Sequence, residues 1–335
     1  MTPIERVNAV LARQRPDRPP FSFWHHFESK QAAGTAALQA HLDLLEKFDL
    51  DFLKVMNDNP YPHPGRIESV EDLASLADLR GDEAGFGEQL SLLESLRTKV
   101  AGRVYLATTL FNAWAVLRRL ISPPATHGPP NLGGAPDGPS EWIKKAYAGH
   151  PEQVIQALRT IGANLARFAA LCVRAGADGI YLSVRDDWVD TPDILQKGTS
   201  LYADIVRPTD LAILQAVQGA KFNILHVCGR SVNFGAFSQY PIPVINWADR
   251  AAGPTITAVK DWLQPAICAG VDNLATLPNG SPQDVEREVA DTLRQAGARP
   301  MMIAPGCTFD PNRVPLANLQ ALGRTVRRAV YHEPV

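Results

Sequence analysis

The sequence predicts an α/β fold, a (β/α)8 TIM barrel built as a single domain, and three observations carry that expectation. Eight short apolar runs rich in Val, Ile and Leu lack the polar alternation of half-exposed strands. Helix-like periodic segments separate most of them, and polar residues stand where the runs stop. The runs are 21–24, 52–56, 104–110, 179–184, 222–226, 243–246, 266–269 and 301–304, and the helical patterns are 35–48, 151–175, 200–218, 255–263, 282–295 and 316–330. Pro151, Pro208 and the pair Ser281-Pro282 fall in or just before first helical turns, where a missing amide donor costs nothing.

At 335 residues the chain exceeds the usual domain, but barrels of this type run past about 250 residues as one unit. One domain over 1–335 is therefore expected, with 1–20 an N-terminal helical extension and 122–140 a Gly/Pro-rich insertion, uncharged except for Asp137. The stretch 59–66 (NPYPHPGR) reads as a lid beside Asp58. With 33 basic and 35 acidic residues the net charge is −2, which argues against nucleic acid as a partner. The polar start holds no apolar stretch long enough for export or membrane spanning, so no membrane association and a cytoplasmic location are expected. Four cysteines in a chain this long are too few for a disulfide framework, and a reducing compartment leaves thiols free to bind metal.

His226 and Cys228 stand where the fifth run stops, and Cys307 follows the eighth. Two soft thiolates and an imidazole are a ligand set that zinc prefers, and three protein ligands leave a fourth position open for chemistry. A structural zinc would show four Cys or His in short-spaced pairs, whereas here the third ligand lies roughly eighty residues further along. The plain alternative is that buried cysteines act as small apolar residues, which is the reading for Cys172 and Cys268. Trp24, Trp188 and Trp247 read as core.

The segments 175–183 (AGADGIYLS), 226–229 (HVCG), 281–285 (SPQDV) and 305–308 (PGCT), with Asn318, resemble the uroporphyrinogen decarboxylase superfamily. The paired His226 and Cys228 with distant Cys307 are similar to its zinc-dependent cobalamin methyltransferase branch, which includes methylcobamide:coenzyme M methyltransferases. The resemblance covers nearly the whole chain, is strongest from Pro151 onwards, and implies the barrel with His226, Cys228 and Cys307 as zinc ligands. The stretch 19–27 (PPFSFWHHF) lacks the arginines with which the decarboxylases grip a many-carboxylate porphyrinogen, and Asp58 matches their catalytic carboxylate only loosely.

The expected reaction is methyl transfer between a small-molecule substrate, a thiol or a methylated compound, and a corrinoid protein, with Zn2+ activating the sulfur or polarising the substrate. No corrinoid-binding segment is recognisable in the sequence, so the cobalamin cofactor is expected on a partner chain, and a homodimer is admitted. His25, His26, Asn57, Asn112 and Asn246 are the candidate substrate-binding residues, and Asp58 and Asp186 the candidate supporting ligands or proton acceptors. A metal-free decarboxylase or other lyase of the same superfamily is the second expectation, and a zinc hydrolase or a non-catalytic barrel the third.

Overall fold

The computed structural model describes residues 1–121, 138–185, 200–229 and 234–329. Among them the chain forms seven parallel strands whose spatial order is their order in sequence. These are β1 Phe52–Val55, β2 Tyr105–Phe111, β3 Gly179–Arg185, β4 Ile224–Cys228, β5 Val244–Trp247, β6 Ala266–Val271 and β7 Met302–Pro305. Nearly every residue in them is buried, as expected for strands covered on both faces.

Four of the longer helices lie where the apolar periodicity placed them. Helix α2 (Gly34–Phe48) stops at Asp49 in the left-handed conformation, α6 (Pro151–Arg174) opens on its proline, and α11 (Pro282–Ala296) begins with a reciprocal capping box between Ser281 and Asp284. Helix α12 is Leu316–Arg328. The N-terminal extension contains α1 (Pro3–Leu11), which opens on a capping box between Thr2 and Glu5. The pattern over 200–218 resolves into a π turn, Tyr202–Val206, leading into α7 (Arg207–Ala216), while that over 255–263 shortens to one turn, α9 (Ile256–Val259).

Further helices were not foreseen. They are α3 (Ala84–Val100), α4 (Ala113–Ile121) and α5 (Gly138–Gly149), with the single turns α8 (Phe234–Phe237) and α10 (Thr276–Asn279). Two glycines in its first turn hide α3, and α5 starts inside the Gly/Pro-rich stretch. Residues 138–140 thus belong to a helix, and 122–137 lie outside the described residues.

The expected first strand, 21–24, is the main departure. It forms only isolated parallel bridges, Phe21 to Ile303 and His25 to Phe309. Pro19 and Pro20 supply no donors, so no ladder can run through them. The stretch still lies between β7 and the start of β1. Ile303 N–H donates to the Pro20 carbonyl (2.9 Å), Ser22 N–H to the Ile303 carbonyl (3.2 Å), and Asp51 N–H to the Phe21 carbonyl (3.0 Å). The expected lid, 59–66, is anchored at Tyr61, which meets Phe86 edge-on at 5.6 Å and accepts a hydrogen bond from Asn164 at 2.6 Å, while Pro60, Pro64, Gly65 and Arg66 are exposed.

A buried charge pair fixes the edge next to β1. Asp51, 1 % exposed, accepts from the Arg18 guanidinium (2.6 and 3.1 Å), from Arg6 (3.1 Å) and from the Phe21 N–H (2.9 Å). Asp51→Ala should strand a buried guanidinium and an amide together. The expected loss is about 3–5 kcal/mol, read as the change in unfolding free energy in a denaturant titration.

Candidate metal centre

Side chains two apart on a strand point the same way, so His226 and Cys228 leave β4 on one face of the sheet. The strand then turns at Gly229, whose φ of +123° suits glycine. Cys307 arrives from the end of β7 by way of Gly306. A Cβ on Gly306 would stand 2.5 Å from the Ala248 Cα, so only glycine lets this loop press against the end of β5 and carry Cys307 inward. The result is a cluster of three buried side chains whose ligand atoms all lie within 4.8 Å of one another. Tetrahedral zinc with bonds of about 2.0–2.3 Å needs ligand atoms roughly 3.5–3.8 Å apart, so small side-chain adjustments suffice.

Asn246 on β5, the register partner of His226, sets the imidazole. Its Nδ2 donates to the Cys268 carbonyl (2.7 Å) and the Pro305 carbonyl (3.1 Å), which fixes the amide with its oxygen toward His226. That Oδ1 accepts from the Tyr181 hydroxyl (2.8 Å) and lies 2.6 Å from His226 Nδ1. Nδ1 must therefore carry the proton, and Nε2 presents a lone pair. Nε2 is buried and has no hydrogen-bond partner among the described residues, so its lone pair is free to act as a ligand. Tyr181 stacks along the same ring at 5.3 Å and 25°.

The sulfurs divide into two kinds. Burial alone pushes the Cys172 and Cys268 thiols up, in keeping with structural roles. Cys307 is held well below the ordinary thiol range, first by a hydrogen bond from Cys228 and, against the opposing cost of burial, with help from the Thr308 hydroxyl. A thiolate is the form a metal requires.

Lys54, in the middle of β1, projects among these groups. Its ammonium meets the Met56 thioether at 3.2 Å and lies over the Tyr181 ring at 4.3 Å and the Trp24 ring at 5.5 Å. Burial pulls it down to about 8, opposed by the negative charges of Cys307, Asp58 and Cys228. This residue was not foreseen, although a lysine inside an otherwise apolar run (FLKV) was a readable signal.

The expected substrate residues separate. His26 Nδ1 donates to Asp58 Oδ1 at 2.6 Å, forming a dyad. Burial raises the Asp58 carboxyl, but the hydrogen bond and charge of His26, with Lys54, carry the balance below its usual range. His25 donates through Nδ1 to the His26 carbonyl (2.8 Å) and packs on Phe27 and Phe309, and its burial lowers its affinity for a proton. Asn57 closes a local turn by accepting from the Asn59 amide at 3.3 Å. Asn112 caps α4 through the Ala115 N–H (3.0 Å) and donates to Asp210 at 3.4 Å. Asn246 has both donors and both acceptor positions filled and clamps the histidine. Asp186 and Trp188 lie outside the described residues, whereas Trp24 and Trp247 are core. Asp210 was also missed. Its Oδ1 has no partner, it accepts from Tyr240 at 2.9 Å, and burial lifts it to about 7.

A parallel α/β sheet with side chains of Cys and His gathered at its strand ends has the architecture on which enzymes of the barrel class build their sites. The chain belongs to the uroporphyrinogen decarboxylase (URO-D) family, whose pattern matches residues 42–329. Among solved structures it is similar to a methyltransferase from Methanosarcina mazei, with 17% sequence identity, a TM-score of 0.73 and 98% of each chain covered. At that identity the likeness establishes the fold. A B12-independent methionine synthase from Shewanella sp. W3-18-1 aligns over 71% of this chain and 66% of its own, with 12% identity and a TM-score of 0.46. No curated protein matches the sequence significantly. No helix among the described residues is long and apolar enough to cross a membrane.

Proposed function

We propose that the chain is a zinc-dependent methyltransferase that moves a methyl group between a small substrate, a thiol or a methylated compound, and a corrinoid protein. The observation that carries the reading is the unpartnered, unprotonated Nε2 of His226 beside two converging thiols. His226, Cys228 and Cys307 would hold the metal. Zinc would supply a Lewis acid that keeps a sulfur anionic at neutral pH or polarises a substrate heteroatom. The sheet, completed by the stretch 20–25, serves as the (β/α)8 barrel whose strand ends form the mouth over which a corrinoid protein docks.

The chain's own residues do the remaining work. Asn246 and Tyr181 hold the imidazole in one tautomer, and the Asp58–His26 dyad is the proton acceptor. With Nδ1 committed to the carboxylate, Nε2 of a neutral His26 is the atom that takes a proton from an incoming thiol. A metal-free porphyrinogen decarboxylase fits less well, since Arg18, the arginine nearest the expected substrate grip, is held by Asp51.

The test combines zinc content with spectroscopy of methylcobalamin demethylation against a panel of thiols. About one zinc per chain together with thiol-dependent demethylation is the expected result, and a metal-free, folded protein removes the reading. Asp58→Asn should lower the demethylation rate about 10²-fold while leaving zinc content unchanged, because it removes the acceptor of the His26 proton and touches no proposed ligand.

A further inference from the structure

Lys54 is 4 % exposed, and among the described residues its ammonium meets a thioether and two aromatic faces and forms no ion pair. Aromatic faces and a sulfur offset only part of the cost of burying an ammonium. Asp58, the carboxylate whose charge it senses, is already bonded to His26. The sulfurs of Cys307 and Cys228 also lie close enough to act on it. Tyr181, beneath the ammonium, stacks on His226 and is bonded to Asn246, so Lys54 is built into the same packed unit as His226, the ligand about which Cys228 and Cys307 gather.

We propose that Lys54 is a positioning residue that makes the centre select a sulfur ligand in its anionic, thiolate form over a neutral thioether. This rests on the reading of His226, Cys228 and Cys307 as a zinc site. Two cysteinates, a neutral imidazole and a divalent ion sum to zero charge. A thiol that binds by losing its proton to His26, which passes it on to solvent, adds one negative charge in a buried place, and the Lys54 ammonium balances it. A neutral thioether brings no charge for Lys54 to balance. The centre is thereby matched to a thiol substrate, and a methylated thioether product leaves more readily than the thiolate that entered.

The test uses the full chain loaded with cobalt(II) in place of zinc, titrated with 2-mercaptoethanol and, separately, with its S-methyl ether, and read by the sulfur-to-cobalt absorption bands. Lys54→Met keeps the length and apolar stem of the side chain and removes the charge. It should weaken thiol binding at least tenfold, leave thioether binding within threefold of the wild type, and retain one cobalt per chain, while Lys54→Arg keeps the thiol preference. A loss for the thiol that is within threefold of the loss for the thioether overturns the proposal with the zinc reading intact. If Lys54→Met does not load cobalt, Lys54→Gln is judged by the same threefold criterion, and failure of both to load shows a structural residue and overturns the proposal too. A wild-type protein that binds no cobalt at this centre defeats the zinc reading itself.

Discussion

Cys307→Ser is expected to reduce bound zinc from about one to below about 0.1 per chain, and His226→Ala to do the same, because a hydroxyl or a methyl cannot replace a thiolate or an imidazole on a borderline-soft ion. The demethylation rate should fall by about 10³-fold or more with it, since the chemistry that activates the sulfur leaves with the metal. Circular dichroism and the unfolding midpoint of the metal-free protein should stay close to those of wild type. The large apolar core, with Trp24, Trp114, Trp247 and Phe222 fully buried, holds the fold without the ion. Metal analysis after gel filtration reads the first effect directly. Full zinc occupancy in Cys307→Ser would show that the sulfur brought in by Gly306 is a core thiol.

Asn246→Leu carries the second large effect, and it acts on stability and metal affinity together. Four groups lose their partner at once, namely the Cys268 and Pro305 carbonyls, the Tyr181 hydroxyl and the His226 Nδ1–H. Each unsatisfied buried group costs about 1–3 kcal/mol, so a loss on the order of 4 kcal/mol is expected even after partial relaxation. The released imidazole can also rotate or change tautomer, and loss of such an outer-shell partner weakens metal binding by about 10–100-fold. Chelator competition measures the affinity and urea titration the stability. A variant that loses stability but binds zinc with wild-type affinity would show that Asn246 serves the core alone.

Much of this was legible in the sequence, and what was missed has physical causes. Buried parallel strands announce themselves as unbroken apolar runs, which is why all seven strands of the sheet were anticipated to within a few residues. The run 21–24 carries the same apolar signal, but the preceding prolines remove the donors that a ladder needs, and composition alone does not weigh that. The helix α3 was invisible because its first turn contains Gly85 and Gly87. The three proposed metal ligands could be picked out because histidine and cysteine at strand ends are rare and chemically distinctive.

Asparagine at strand ends is not distinctive. Asn57, Asn112 and Asn246, expected at the substrate, also hold a turn, a helix cap and an imidazole. The difference lies in hydrogen bonds to residues far away in sequence, which no local pattern encodes. Lys54 was overlooked for the opposite reason. A charge inside an apolar strand reads as an exception to a burial pattern, yet it is the exceptions to burial that mark chemistry.

The central claim is that an imidazole and two sulfurs close on a single zinc ion. X-ray absorption at the zinc edge of the purified full chain tests it most directly. The account predicts stoichiometric zinc with two sulfur neighbours at about 2.3 Å and one nitrogen at about 2.0 Å, plus a further ligand that becomes sulfur when a thiol is added. Zinc surrounded only by oxygen and nitrogen, or a folded chain that takes up no zinc, would contradict it.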